Sequence, residues 1–361
     1  MKFCAYLLSL SFILNFAYAS EDCPENFKSN KLTLMSYNIE NLFDLKHDRG
    51  KEDWSYLPMT QKMSDERVFN YCEGLYGFFR RFCFEVDWNQ ENLQTKVTNL
   101  SRVIFKAQSQ EGPDILMVQE VENIHALEAL ANKLNEKLPH CAKKYTTVTL
   151  LEGPDERGID TGAISKYPVS KARSHEIDLS EIDPNEKTRD ILEVKFLVGK
   201  HSVTVFNNHW PSQGNPDTHR LKASEVLLKK AYEASQNSDL VVALGDFNSL
   251  KDDSPHGIKQ NITPHFHDAE KEKRIRGYSV FEGTHYFRGN WSSLDRIFVF
   301  KSSLKNSSLI PLWNSFKIHK PGFALIYDQR HSKLKPMRYS AFQMTGFSDH
   351  LPITQSFFIQ D

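Results

Sequence analysis

Leu240-Val241-Val242-Ala243-Leu244-Gly245-Asp246-Phe247-Asn248-Ser249 is an apolar run that stops abruptly in polar residues. Leu240 to Leu244 reads as a strand, and the Asp and Asn beyond it stand where a strand hands over to a loop. The helical pattern Asp217 to Ala234 precedes it. Further out, Leu32 to Tyr37 is a short β-like run, and Leu93, Val97, Leu100, Ile104 and Ala107 recur at helical spacing. Asp114 to Val118 follows Gly112-Pro113 as another apolar run, and Ile124, Leu127, Leu130, Leu134 and Leu138 form a second helical stripe. From Tyr145 the chain turns β-rich near 145–151, 161–165, 190–198 and 201–208, with late runs at Leu294 to Phe300 and Leu351 to Phe358. Strands and helices mix throughout, which predicts one α/β domain with sheet layered inside helices. Residues 46–90 read as an insertion and 251–290 as a long polar loop region; loops of that length are often functional.

The N-terminus obeys another logic. Met1-Lys2 is followed by an apolar run from Phe3 to Phe16 and then by Ala17-Tyr18-Ala19, which reads as a signal peptide spanning 1–19. Residues 20–361, about 340 in number, remain as the single domain. Four cysteines stay with them, Cys23, Cys72, Cys83 and Cys141, an even number suited to two disulfides in an oxidising compartment. Four cysteines permit three pairings, and the sequence does not choose among them. A formal net charge of −1 gives no global positive field to attract a polyanion.

Six polar blocks sit at strand-to-loop junctions. They are Ser36-Tyr37-Asn38-Ile39-Glu40-Asn41, Val118-Gln119-Glu120-Val121, Asn207-Asn208-His209-Trp210-Pro211-Ser212, Gly245-Asp246-Phe247-Asn248, Ser293-Leu294-Asp295-Arg296 and Ser348-Asp349-His350. One such junction is ordinarily a turn former. Carboxylates recurring at five of the six supply the hard oxygen donors that Mg²⁺ takes, and histidines without cysteine partners suit proton transfer and charge stabilisation.

In this order and at about this spacing, the blocks resemble the endonuclease/exonuclease/phosphatase superfamily, from about Leu32 to Phe358. Gly-Asp-Phe-Asn and Ser-Asp-His are the most specific pieces. The resemblance implies a four-layer α/β/β/α sandwich with two mainly antiparallel mixed sheets, and metal-dependent phosphodiester hydrolysis. It implies Glu120 as the principal metal carboxylate, with Glu40 and Asp349 beside it and Mg²⁺, or Mn²⁺ in its place, as the ion. Many members have Asp at the Glu40 position, so the longer side chain here leaves a second metal position open. Asn38 and Asn248 would line or bind the phosphate, and Arg189 matches a phosphate-contacting Arg of some members. Asp246 would orient or deprotonate the attacking water. His350, backed by Asp295, would contact the scissile phosphate, with His209 as second histidine. The His at 209 resembles the deoxyribonuclease, sphingomyelinase and 5-phosphatase branches; abasic-site members carry Tyr.

The chemistry stands without the family. Attack on a phosphodiester needs a cation on its oxygens, an activated water in line and neutralisation of the leaving oxygen. Glu120, Asp246 and the pair His209 and His350 match these needs. A secreted or periplasmic nuclease acting on nucleic acid is the expectation. A phospholipid or inositol phosphate phosphoesterase is the alternative, for which Leu75-Tyr76-Gly77-Phe78-Phe79 offers a membrane-contacting loop; a non-catalytic binding protein is the remote one. Trp210 reads as a buried aromatic. His256, His265, His267 and His285 read as solvated loop histidines, and Lys271 to Arg276 as a solvated face.

Overall fold

The computed structural model describes residues 30–108, 111–139 and 142–360; the signal-peptide reading, Cys23 and Cys141 lie outside them. The chain begins with β1 (Lys31–Leu42), then α1 (Met59–Ser64), α2 (Glu66–Gly74), α3 (Gly77–Glu85) and α4 (Gln90–Ala107). Next come β2 (Ile115–Val121), α5 (Ile124–Lys137), β3 (Thr147–Leu150), β4 (Asp160–Ser165), β5 (Val169–His175), β6 (Ile191–Val198) and β7 (His201–His209). α6 (Asp217–Ser235) and β8 (Leu240–Asp246) precede β9 (Phe266–Asp268), α7 (Ala269–Ile275), β10 (His285–Phe287), β11 (Asn290–Ser292) and β12 (Asp295–Phe300). The last strands are β13 (Leu309–Pro311), β14 (Lys317–Ile318), β15 (Leu325–Asp328), β16 (Lys333–Pro336) and β17 (Ile353–Ile359).

Alternation along the strands sorts apolar side chains to two faces, and both faces are covered. One sheet runs β13-β17-β1-β2-β4-β3 with β14 paired to β17; the other runs β5-β6-β7-β8-β12-β9. Leu32, Leu34, Ile115 and Met117 of the first meet Val194, Val205, Val242, Leu244 and Ile297 of the second in a buried core. On the outer face of the first sheet, Met35, Tyr37, Leu116 and Val118 take Val97, Leu100, Ile104, Leu127 and Leu130 from α4 and α5. Ala223, Leu227 and Ala231 of α6 cover Val241, Ala243, Phe206 and Phe298 of the second. These layers are helix, sheet, sheet, helix, as the resemblance implied.

Each sheet is antiparallel except at one pair. β1 and β2 run parallel, joined through α4, and β7 and β8 run parallel, joined through α6. A parallel neighbour requires such a crossover, and it brings both carboxyl ends to the same edge. Asn38 therefore pairs with Gln119, and His209 with Asp246. α4 and α5 start cleanly there because Asn89 and Asn123 accept from backbone N–H groups of their first turns.

Two stretches differ from their sequence reading. Residues 46–90, read as irregular, contain the three helices α1 to α3, with Cys72 and Cys83 joined by a disulfide. Short amphipathic pieces interleaved with Asp and Glu hide their period in sequence. Residues 251–290, read as a polar loop, hold a π-helical turn at Ile258–Ile262 and the elements β9, α7 and β10. Their apolar anchors Ile258, Ile262 and Phe266 stand four apart but are only three, so the pattern ends before it can be recognised.

Candidate active site

The carboxyl ends of both parallel pairs converge with the start of β12 and the turn before β17. Asp295 lies directly across from Asp246 in the antiparallel β8–β12 pair. Asp349 and His350 enter just before β17, which runs antiparallel beside β1. Beneath them the two sheets are tied by polar groups in an otherwise apolar core. Buried Asn207 accepts from Gln119 Nε2 at 2.6 Å and donates to the carbonyls of Val118 and Gly162 at 2.8 and 2.9 Å.

His350, Asp295, Asp246, His209, Glu120, Asn248, Asp349 and Arg189 were named from sequence. All except Asp295 line one cavity of about 830 Å³. Asp295 sits behind, fully buried, with Oδ2 2.7 Å from His350 Nδ1. His350 Nε2 lies 3.8 Å from Asp246 Oδ2. Burial opposes a charge on this ring, but Asp295 and Asp246 outweigh it and hold His350 well above the usual histidine range. His209 shows the opposite outcome from the same burial. Desolvation, with Arg189 nearby, holds it well below its usual range, so its ring is neutral. His209 Nε2 lies 3.8 Å from Glu120 Oε1 and 3.9 Å from Asp246 Oδ2. One charged and one neutral imidazole face the same space.

Glu120 adopts a left-handed backbone, φ 64°, where the register slips between Gln119 and Val121. Such a conformation costs on the order of 1–3 kcal/mol and persists where the surroundings enforce it. Asn38 Nδ2 donates to Glu120 Oε1 at 3.0 Å, and the Asn41 N–H donates to Oε2 at 3.1 Å. Asp349 Oδ1 is buried without a hydrogen-bond partner. A carboxylate oxygen of Asp349 lies within 4.8 Å of ring nitrogens of His285 and His350, a group of ligand atoms close enough to hold one metal ion, and an orphaned carboxylate oxygen is a donor of the type a hard divalent cation takes.

Three sequence-named residues are arranged differently from their expected roles. Asn38, expected to line the phosphate site, is fully buried; its amide bonds Glu120 and Asp246 Oδ2 and its oxygen accepts from the Glu40 N–H. Glu40, expected beside the metal, does not line the cavity. Its carboxylate accepts from Arg338 Nε at 2.6 Å and from the Tyr339 N–H at 3.2 Å. Arg189 donates to the Trp210 carbonyl at 3.0 Å and lies 3.4 Å from Asp155, so it buttresses the wall of the cavity it lines. Trp210 is buried, as read.

Sequence reasoning passed over Arg338 and His285. Arg338 reaches from the segment after β16 to Glu40 and Asp349. His285, read as a solvated loop histidine, lines the cavity, with its ring centroid 4.7 Å from that of His350. Burial and the neighbouring His350 push it down to about 4. Thr284, the residue before it, accepts from the Asp295 N–H, and a β-bridge joins His285 to His350. The available sequence signal was its place ten residues before Asp295, but only pairing reveals the contact.

The comparisons agree with this architecture. Residues 83–359 match the family model described as Endonuclease/Exonuclease/phosphatase family. A comparison with curated proteins finds no match. Among solved structures, humanized D. rerio TDP2 is similar at 16% identity and a TM-score of 0.54, covering 91% of this chain and 99% of that one. D. rerio TDP2 complexed with single strand DNA product is similar at 16% identity and 0.52, covering 91% and 98%. An endonuclease/exonuclease/phosphatase family protein from Bacteroides thetaiotaomicron is similar at 13% identity and 0.51, covering 91% and 95%.

Proposed function

Because the chain belongs to the endonuclease/exonuclease/phosphatase family, and is on that ground a phosphoester hydrolase, we propose that it is an exported nuclease that cleaves nucleic-acid phosphodiesters with a divalent metal. The observation that carries the reading is the His350–Asp295 pair facing Asp246 across a cavity that also holds Glu120 and Asp349.

In this reading Glu120 and Asp349 would hold the cation, and Glu40 acts at one remove by fixing Arg338. A bound divalent ion, Mg²⁺ by the oxygen donors and Mn²⁺ as substitute, would polarise the phosphate oxygens. Asp246, its Oδ1 held by the Asn248 N–H at 2.9 Å, orients the attacking water and takes its proton. His350 presents Nε2 to a phosphate oxygen, because Asp295 occupies Nδ1 and keeps the ring charged. Neutral His209 stands beside the leaving oxygen. Asn248 and Arg189 close the wall around the phosphate. D. rerio TDP2, which shares the fold, was solved with single strand DNA product, and this supports nucleic acid as substrate. Export is supported by the N-terminal pattern and by the Cys72–Cys83 disulfide, a bond that persists in oxidising compartments.

One observation favours a phospholipid diester instead. Tyr76, Phe78 and Phe79 are 85%, 64% and 70% exposed at and after the start of α3. Exposed rings of this kind suit a lipid interface. The deciding experiment offers plasmid DNA, RNA, sphingomyelin and an inositol polyphosphate to the mature protein and to His350→Ala, each with Mg²⁺, Mn²⁺ or EDTA. Nicking that needs both metal and His350 is the expected result. Cleavage of lipid or inositol phosphate alone would keep the site and overturn the substrate.

A further inference from the structure

The cavity of the candidate active site continues past Asp349. A second cavity of about 570 Å³ shares His285, Phe287, Arg338 and Asp349 with the first and is bordered by the β10–β11 and β15–β16 hairpins. Its walls add three cations, Arg288, Arg330 and Lys335. Two carboxylates line it, Asp328 and Asp349, and each has a cationic or hydrogen-bonding neighbour on its Oδ2. Asp328 Oδ2 accepts from Tyr286 Oη at 3.1 Å and lies 2.9 Å from His331 Nδ1, while Asp349 lies 3.4 Å from Arg338. Arg288, Arg330 and Lys335 form no salt bridge with a carboxylate among the described residues, and Lys335 acts on Asp328 only through its field. A net positive cleft thus opens from the cavity, on a chain whose overall charge is −1.

The same cleft carries an exposed ring. Phe287 is 61% exposed where the two cavities meet, and the Arg288 guanidinium lies 5.0 Å from its ring centroid. On the opposite hairpin, β-pairing sets Ile326 against Lys335, so an apolar side chain and a cation share the face that borders the cleft. Cations without partners attract phosphates, and an exposed aromatic face accepts a base of any identity. A phospholipid would set acyl chains against those cations, whereas a linear polyanion carrying flat rings satisfies both features.

We propose that this second cavity is a subsite for single-stranded nucleic acid continuing beyond the scissile phosphate. Arg330 and Lys335 meet backbone phosphates, and Phe287 stacks on a base. The assignment rests on the nuclease reading above and adds to it a substrate longer than the bond cleaved.

The test is fluorescence anisotropy with a labelled oligothymidylate of about ten nucleotides, in EDTA so that binding is read apart from cleavage. Wild-type protein binds with an affinity that falls as salt rises. Arg330→Ala with Lys335→Ala weakens binding about tenfold or more and lowers the slope of log K against log salt by about 1.4, at roughly 0.7 for each phosphate contact. Phe287→Ala weakens binding at least about fivefold and leaves the slope unchanged. Superimposable melting curves establish that the variants are folded. Unaltered affinity and slope in the double variant overturn the subsite, as does equal, equally sensitive binding of a duplex or binding only to phosphatidylcholine vesicles. Wild-type protein that hydrolyses bis(p-nitrophenyl) phosphate with Mg²⁺ yet fails to bind the oligonucleotide removes the subsite and leaves the phosphodiesterase; failure in both assays removes both.

Discussion

His350 Nδ1 lies 2.7 Å from Asp295 Oδ2 although the two residues are 55 apart in sequence. The bond fixes which ring nitrogen faces the cavity and, with Asp246, holds the imidazolium charged inside a buried site. Asp295→Asn keeps the shape and removes the charge. We expect kcat to fall by about 10²–10⁴ with a much smaller change in KM, and the acidic partner's loss to shift the alkaline limb of the pH–rate profile downward. Steady-state kinetics over pH reads both, and an unchanged profile would remove Asp295 from the mechanism.

Asn207 tests the seam between the sheets. Asn207→Ala removes the acceptor of one Gln119 Nε2 hydrogen, which leaves that nitrogen only Ser36 Oγ at 3.2 Å, and removes the side-chain donor to the buried carbonyls of Val118 and Gly162. Unsatisfied buried groups cost about 1–3 kcal/mol each, so a loss of roughly 3–5 kcal/mol is expected in urea unfolding after partial relaxation. A loss below about 1 kcal/mol would mean that the network is dispensable.

His319 sets an acid limit far from the cavity. Burial, reinforced by Lys317 and Lys273, pushes it down to about 3, and its Nε2 lies 2.8 Å from Thr354 Oγ1. The unfolded chain binds a proton at this residue from about pH 6.5 downward while the folded one does not until about pH 3, so stability falls as pH drops through that window. The slope from this group is about 1.4 kcal/mol per pH unit. His319→Asn should flatten the stability curve by about one proton between those limits; parallel curves would show that His319 titrates normally.

Reduction of Cys72–Cys83 releases a loop whose ends are 11 residues apart. Chain entropy alone puts its stabilisation at about 2–3 kcal/mol. Dithiothreitol, or Cys72→Ser with Cys83→Ser, should lower the melting temperature and speed proteolysis within α2 and α3. Equal cleavage rates in both redox states would leave the bond without a stabilising role.

How much was legible in advance follows period and position. The stripe Leu93, Val97, Leu100, Ile104 became α4, and Leu240 to Leu244 became the middle of the second sheet, because their apolar residues repeat at one spacing over several turns or fill a whole strand. β5 was passed over: none of its residues is buried, and an edge strand needs no apolar run. Gly-Asp-Phe-Asn and Ser-Asp-His announced chemistry through residue types that strand ends seldom combine.

The sequence alone determined the alternation of strands and helices, the six polar junctions and the carboxylates and histidines available to them. Tertiary structure alone decided which of these face one another. Parallel pairing brought Asn38 beside Glu120 and His209 beside Asp246, and the closing strand delivered Asp349 to Arg338 and His350 to His285. A side chain's chemistry is local, but its partner, its desolvation and its charge depend on chain segments brought near by folding, as opposite shifts on His209 and His350 within one cavity illustrate.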